Sequence, residues 1–112
     1  MQTKPSLPEI SPQELRQKLD ENQVVFLLDV REQSEYDIVH LEGAKLIPLN
    51  TLPHNIDSLP TDQEIVVYCH HGQRSFYATA YLQQNGYTEA KNLIGGIDQW
   101  AVEIDPTLKR YS

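Results

Sequence analysis

Residues 68–75, YCHHGQRS, concentrate the side chains of this sequence that could do chemistry. Cys69 is the only cysteine of the chain, and two histidines, a glycine and an arginine follow it closely. The reactive form of a cysteine is its thiolate, which nearby cations and N–H groups stabilise. Four interpretations of Cys69 are open at this point: a metal ligand, a nucleophile toward a phosphate ester, a carrier of sulfur, and an inert buried thiol.

A strand and a helix are predicted on the two sides of this loop. EIVVYC, residues 64–69, is an apolar run of the kind that forms a strand buried on both faces of a parallel sheet. The helix is predicted from about Ser75 to about Asn85, where an Asn-Gly pair stops it. Ligands of open α/β sheets lie at the carboxyl ends of the strands, so the residues between strand and helix must curl over such a site.

The loop favours an anion at the sulfur atom of Cys69. Gly72 can adopt a positive φ, which lets several backbone N–H groups point toward one position. The N-terminus of the following helix adds about half a positive charge. Arg74 adds a full charge, unless it is only a solvated side chain at the helix start. We therefore expect a stabilised and reactive thiolate at Cys69.

His70 and His71 are interpreted as parts of the loop wall rather than as general bases. The side chains of adjacent residues diverge. One cysteine with two adjacent histidines also lacks the second pair of spaced ligands that a structural zinc site needs. We therefore predict no metal at this loop.

Strand and helix patterns alternate along the rest of the chain. A helix start is predicted at Ser11, the N-cap of SPQEL, because proline and glutamate follow in the first turn. A second helical pattern has apolar residues at positions 52, 56 and 59. Apolar runs typical of strands cover residues 24–30, 44–49, 64–69 and 90–95. This alternation predicts an α/β fold with a mainly parallel sheet.

Length and composition predict the number of domains and exclude some classes of partner. The chain has 112 residues, the size of one domain, and its 9 basic and 16 acidic side chains give a net charge of -7. Nucleic acids and anionic membranes attract basic surfaces, so neither is an expected partner. No run approaches the roughly 20 apolar residues of a membrane-spanning helix, and no secretory signal is visible. We expect a cytoplasmic location.

The order of strand, cysteine, glycine/arginine loop and helix resembles two related families, the rhodaneses and the cysteine phosphatases. Both surround a thiolate with backbone N–H groups that hold an oxyanion. Phosphatase loops have one residue more between cysteine and arginine than the four found here, His70, His71, Gly72 and Gln73. The shorter loop resembles that of the rhodaneses, whose cavity suits a sulfane sulfur and is too small for a phosphate.

Two further segments carry the rhodanese resemblance. Residues 92–106 match the closing element of the family at Gly95, Gly96 and Trp100. Val39 departs from the pattern, since the family usually has glycine there. With the loop, these segments cover nearly the whole chain in the expected order. The matching positions in residues 27–49 are Asp29, Arg31, Glu35, Tyr36, His40, Gly43, Ala44 and Pro48.

The resemblance implies a fold and an activity. The fold is a three-layer α/β/α domain with a five-stranded, mainly parallel sheet and the Cys69 strand near its centre. The domain would occupy residues 10–106, with a lead-in over 1–9 and a tail over 107–112. The activity is transfer of a sulfane sulfur from a donor such as thiosulfate through a Cys69 persulfide. The acceptor would be cyanide in vitro and a thiol in the cell, such as that of thioredoxin, and no metal or organic cofactor is required.

Under this hypothesis the loop residues hold the persulfide anion. Arg74 is the first candidate for steering the anionic donor, and His70 or His71 is the second. The backbone N–H groups concerned belong to His70, His71, Gly72, Gln73, Arg74 and Ser75.

Asp29 and Arg31 admit two interpretations. Because they follow a predicted strand, they could line the same pocket, or they could form an internal ion pair, which we favour. His40 is predicted to be a structural hydrogen-bonding residue. A tight strand-to-helix turn is predicted at Gly95 and Gly96.

Two alternative functions stay open. The chain could be a binding or sensing module that has the fold without the activity, although the intact cysteine argues against this. It could also be a cysteine phosphatase or an arsenate reductase, which the short loop disfavours.

Overall fold

A parallel sheet of five strands forms the centre of the computed structural model, which describes residues 7–112. The strands occur in the order β1-β5-β4-β2-β3, so β4, which leads into Cys69, lies in the middle as predicted. Most of the predicted lead-in over residues 1–9 lies outside the described residues, and Glu9 already belongs to β1. The strands are β1 Glu9–Ile10, β2 Val25–Asp29, β3 Lys45–Leu46, β4 Glu64–Tyr68 and β5 Ala90–Leu93.

Within the described residues, four α-helices connect these strands and a fifth follows β5. The predicted start of the first helix is present, because the side chains of Ser11 and Glu14 form a reciprocal capping box. Short 3-10 turns at Leu49–Thr51 and Ile56–Ser58 flank the third helix. The helices are α1 Pro12–Asp20, α2 Gln33–Ile38, α3 Leu52–Asn55, α4 Gln73–Gln84 and α5 Gly96–Glu103.

Side chains along β4 alternate between the two faces of the sheet, and each face has its own core layer. Ile65, Val67 and Cys69 pack on one side of the sheet with buried residues of α3 and α4. Val66 and Tyr68 pack on the other side with buried residues of α1 and α5. Successive side chains of a strand point to opposite faces, so a strand that is apolar throughout must be covered on both. The result is the three-layer α/β/α fold that the sequence predicts.

Two differences from the predicted boundaries have a clear physical cause. The strand predicted over residues 44–49 is reduced to β3, because Pro48 cannot donate to a sheet ladder and a 3-10 turn begins at Leu49. Helix α4 begins at Gln73, two positions before the predicted start at Ser75, because Gly72 with φ +105° serves as its N-cap. The helix N-terminus therefore lies closer to Cys69 than expected.

Candidate active site

The sulfur atom of Cys69 lies where β4 ends and α4 begins. The side chain is 1% exposed and forms no disulfide. Two backbone N–H groups donate to Sγ, from Gly72 at 3.1 Å and from Ser75 at 3.3 Å. Hydrogen bonds of this kind favour the charged form of an acceptor, so the loop is built to stabilise negative charge at sulfur.

Ser75 and Asn92 form a buried polar cluster behind the sulfur. The Ser75 hydroxyl oxygen lies 3.3 Å from Sγ and donates to Oδ1 of Asn92 at 2.6 Å. The amide Nδ2 of Asn92 donates to the carbonyl oxygen of Gly72 at 3.1 Å, which ties the loop to β5. The sequence interpretation missed Asn92. A polar residue inside a predicted buried strand is the signal that could have revealed it, since buried polar groups need partners.

The N-terminus of α5 holds the first half of the loop. The N–H groups of Ile97 and Asp98 donate to the carbonyl oxygens of Cys69 at 2.9 Å and of His70 at 3.1 Å. These bonds require a close approach at Gly96, where an added Cβ would lie 2.4 Å from the His70 carbonyl oxygen. Gly96 has φ +64°, so the predicted turn is present and has a defined purpose, which is to let α5 bond the loop backbone.

Arg74 is paired with Glu35 of α2. The guanidinium binds the carboxylate with both Nη atoms, at 2.6 and 2.9 Å, and remains 38% exposed. The hydrogen bonds from Arg74 lower the pKa of Glu35 from 4.5 to about 2, while burial opposes the shift. The same pair raises the pKa of Arg74. Arg74 is therefore not an independent solvated charge, although it still attracts a negative charge at Cys69.

Asp29 and Arg31 form an ion pair inside the protein. Both side chains are 0% exposed, and Nη2 of Arg31 lies 2.6 Å from Oδ2 of Asp29. A second donor, Nε of Arg31, reaches Oδ1 at 2.9 Å, and Nη2 also donates to the carbonyl oxygen of Val39 at 2.7 Å. Because neither side chain reaches solvent, neither lines a pocket at the loop. The geometry is that of the internal ion pair, the interpretation favoured from the sequence.

Tyr111 of the C-terminal segment contacts the site. The prediction of a tail over residues 107–112 did not include such a contact. The ring of Tyr111 stacks on His70 with 3.9 Å between centroids and 9° between planes. Its hydroxyl donates to Oε2 of Glu35 at 2.7 Å and accepts from Nη1 of Arg31 at 2.9 Å. Burial raises the pKa of Tyr111 to about 12, so its hydroxyl keeps its proton at neutral pH. Tyr111 thus connects the buried Arg31 with the Glu35–Arg74 pair.

The two histidines of the loop have different surroundings. His70 is buried, and this burial is the main cause of its lowered pKa, so it is neutral at neutral pH. His71 is exposed and its ring lies 3.9 Å from that of His70. Within residues 7–112, no group of three His, Cys, Asp or Glu side chains is arranged to hold a metal ion.

A cleft of about 510 Å³ opens beside the loop. Its apolar wall consists of Phe76, Tyr77 and Ile94, which are all exposed. The loop residues His71, Gly72 and Gln73 also line it. The cleft therefore places an exposed apolar surface beside the loop backbone.

Similarity to known proteins shows the family of this chain. The family model described as Rhodanese-like domain matches residues 11–103. The chain belongs to the rhodanese-like domain family. The structure of a rhodanese-like domain protein from Staphylococcus aureus superposes with a TM-score of 0.81 at 34% identity, over 94% of this chain and 99% of that one.

Two curated relatives of this rhodanese-like chain carry names that refer to sulfur transfer. A "Sulfurtransferase" of Allochromatium vinosum is 38% identical over 83% of this chain and 87% of its own length. The "Probable adenylyltransferase/sulfurtransferase MoeZ" of Mycobacterium tuberculosis is 40% identical over 91% of this chain. The chain spans only 26% of that longer relative. No helix within residues 7–112 is long and apolar enough to cross a membrane.

Proposed function

We propose that this rhodanese-like domain is a sulfurtransferase that moves a sulfane sulfur through a persulfide on Cys69. The observation that carries the proposal is the convergence of two backbone N–H groups on Sγ of a lone cysteine. The loop of four residues before Arg74 supports it, because the ring of donors is small. The names of the relatives support sulfur as the transferred group.

The reaction consists of two displacements. The Cys69 thiolate attacks the outer sulfur of a donor such as thiosulfate, the S–S bond of the donor breaks, and sulfite leaves with the electron pair. An acceptor then attacks the outer sulfur of the persulfide, and the Cys69 thiolate leaves. The acceptor is cyanide in vitro and a thiol in the cell, such as that of thioredoxin. This is covalent catalysis, for which ping-pong kinetics are expected.

The loop supports both displacements by stabilising negative charge. The N–H groups of Gly72 and Ser75 point at Sγ, and the N-terminus of α4 adds its partial positive charge. Together with the remaining N–H groups of residues 70–75, they hold the persulfide anion. Arg74 steers the anionic donor, with a charge moderated by Glu35. We place this chemistry in the cytoplasm and assign it no metal or organic cofactor.

Intact mass spectrometry tests the proposal. After incubation with thiosulfate, the wild-type chain should gain one sulfur atom and lose it again with cyanide. Cys69→Ser should gain none, because the hydroxyl is a far weaker nucleophile at neutral pH. As a matched control, Ser58→Ala lies away from the loop on an exposed turn and should load as the wild type does.

Two outcomes would contradict the proposal. Hydrolysis of an aryl phosphate without a sulfur adduct would identify a phosphatase instead. A folded wild-type chain that neither gains sulfur nor hydrolyses the ester would favour a binding or sensing module. Repeating the loading with a low-molecular-weight persulfide separates loss of activity from a poor choice of donor.

A further inference from the structure

The hydrogen bonds of Asn92 determine where the hydroxyl proton of Ser75 points. The carbonyl oxygen of Gly72 can only accept, so the Asn92 atom that faces it at 3.1 Å is the donor Nδ2. The amide oxygen Oδ1 then faces the Ser75 hydroxyl at 2.6 Å and can only accept. Because a hydroxyl has a single proton, the Ser75 proton lies on the side of Asn92.

This orientation decides what Ser75 can offer to the sulfur. The hydroxyl oxygen lies 3.3 Å from Sγ of Cys69 and presents its lone pairs to it. Ser75 can accept the proton of a Cys69 thiol in this geometry, but it cannot donate to a thiolate. The donors to the thiolate among the bonds described at Sγ are therefore the two backbone N–H groups.

Burial strengthens this constraint. Ser75 is 0% and Asn92 4% exposed. Turning the hydroxyl proton toward the sulfur would leave the amide oxygen of Asn92 buried without a hydrogen bond, and a buried acceptor without a partner is costly. The short bond between Ser75 and Asn92 therefore competes directly with any bond from Ser75 to Cys69.

We propose that Asn92 is a positioning residue that, through Ser75, withholds a third hydrogen-bond donor from the sulfur of Cys69. The inference deepens the proposed function, since it concerns the same sulfur, and it rests on that function for its biological meaning. When Cys69 is a thiol, Ser75 can accept its proton, and when it is a thiolate, the hydrogen bonds to Sγ come from the two backbone N–H groups. The amide of Asn92 thereby limits the number of hydrogen-bond donors available to a Cys69 thiolate.

Charged groups on the surrounding elements act on the same sulfur and must stay unchanged in a test. Arg74 on α4 attracts its negative charge, and Glu35 on α2 moderates that attraction. Asp98 at the start of α5 acts on both loop histidines. The test below alters only Ser75 and Asn92 and keeps the following groups: His70, His71, Arg74, Glu35, Asp98, Tyr68 and Tyr111.

The rate of alkylation by iodoacetamide as a function of pH tests the proposal. Cys69 is the only cysteine, so intact mass reports its modification without ambiguity. Ser75→Ala removes the oxygen that accepts from the thiol. On the acidic side of the profile, alkylation should therefore become faster. Asn92→Ala frees the Ser75 proton to donate to the thiolate, and alkylation there should rise by about three- to tenfold, the effect of one hydrogen bond of ordinary strength.

The double variant shows whether Asn92 acts through Ser75. In the Ser75→Ala background, Asn92→Ala should lose this acceleration, because no hydroxyl remains to be released. An effect of Asn92→Ala that is equally large without Ser75 would overturn the proposal, since Asn92 would then act only through the Gly72 carbonyl. Slower alkylation of Ser75→Ala on the acidic side would also overturn it, because Ser75 would be a donor.

Two controls complete the experiment. Asn85→Ala removes an exposed asparagine that bonds the Tyr81 carbonyl at the end of α4, and it should leave the alkylation profile unchanged. If Asn92→Ala does not fold, the direction of the Ser75→Ala effect decides the question alone. Alkylation needs no sulfur donor, so a chain that fails to load sulfur can still support or overturn this inference.

Discussion

The carboxyl ends of β2 and β4 lie side by side in the sheet, and they use polar groups in opposite ways. Asp29 and Tyr68 are partners in the register of the two strands. At the end of β2, Asp29 and Arg31 satisfy each other as a buried ion pair. At the end of β4, backbone N–H groups converge on the sulfur of Cys69.

The difference shows that a position at the carboxyl edge does not itself make a polar residue functional. The charges of Asp29 and Arg31 at the end of β2 pair with each other, and removing one of them leaves the other buried without a partner. The donors at β4 point at a single atom whose charge can change. We therefore expect substitutions at the β2 end to alter stability first and substitutions at the β4 end to alter the reactivity of Cys69.

The largest effect is expected from Arg31→Met. The substitution preserves most of the side-chain volume but leaves the carboxylate of Asp29 buried and unpaired. Removing one partner of a buried pair costs about 3–5 kcal/mol, and we expect a loss of that size in the free energy of unfolding. Urea unfolding at neutral pH measures it.

Arg110→Met is the matched control for this substitution. Arg110 pairs with Asp98 at 2.8 Å, but it is 58% exposed, and an exposed pair contributes less than about 1 kcal/mol. Equal losses for the two variants would show that the Asp29–Arg31 pair has no special role at the end of β2.

A smaller effect is expected from Gly96→Ala compared with Gly43→Ala. Both glycines have positive φ, +64° and +82°, so both alanines are strained. At Gly96 the added Cβ also collides with the carbonyl oxygens of His70 and Cys69, whereas at Gly43 it meets nothing within 4 Å. We expect an additional loss of about 1–3 kcal/mol for Gly96→Ala in urea unfolding, the usual cost of overpacking.

The rate of Cys69 alkylation is a second measurement that distinguishes Gly96→Ala from Gly43→Ala. Gly96→Ala should change its rate, because α5 must move away from the loop backbone, while Gly43→Ala should not. A Gly96→Ala chain with unchanged stability and unchanged alkylation would contradict the role assigned to the close approach of α5.

The smallest effect is a pH dependence from Glu35. Its pKa is lowered from 4.5 to about 2 in the folded chain, chiefly by hydrogen bonds from Arg74. The unfolded chain then binds more protons between these values, so stability from this group is complete above about pH 4.5 and is lost as the pH falls toward 2. Because Arg74 is partly exposed, we expect about 1–2 kcal/mol.

Urea unfolding between these two pH values measures the contribution in the wild type and in Glu35→Gln. The variant should lose less stability on acidification than the wild type does. Glu42→Gln changes an exposed carboxylate in the loop before β3 and should follow the wild-type curve. If Glu35→Gln has the same pH dependence as the wild type, the Glu35–Arg74 pair does not couple α2 to the loop.

The sequence predicts the layers of this fold and the position of Cys69 because those features depend on local patterns. The apolar runs that become β2 and β4 and the loop glycine Gly72 can each be recognised from a few neighbouring residues. The start of α4 does not follow from such a pattern, because a glycine that opens a loop can equally cap a helix, as Gly72 does. The predicted length of β3 is too long, since the apolar residues that follow the strand belong to a turn that begins after Pro48.

The contacts that complete the site could not be predicted in the same way. Asn92 was hidden inside a short strand pattern, and its importance depends on the register that brings β5 beside β4. Tyr111 has no local signal, because its partners Arg31 and Glu35 are 80 and 76 positions away. Glu35 lies in one of the segments that match the family, but only the folded structure shows that it binds Arg74, which is 39 positions away.

The bond between Arg31 and Tyr111 also has a consequence for the order in which the chain folds. Its two residues are 80 positions apart, so it is one of the most non-local contacts of the molecule. Closing so long a segment is slow, and during synthesis Tyr111 emerges long after Arg31. The β2 end is therefore expected to reach its final state only in the last stage of folding, when the C-terminal segment docks.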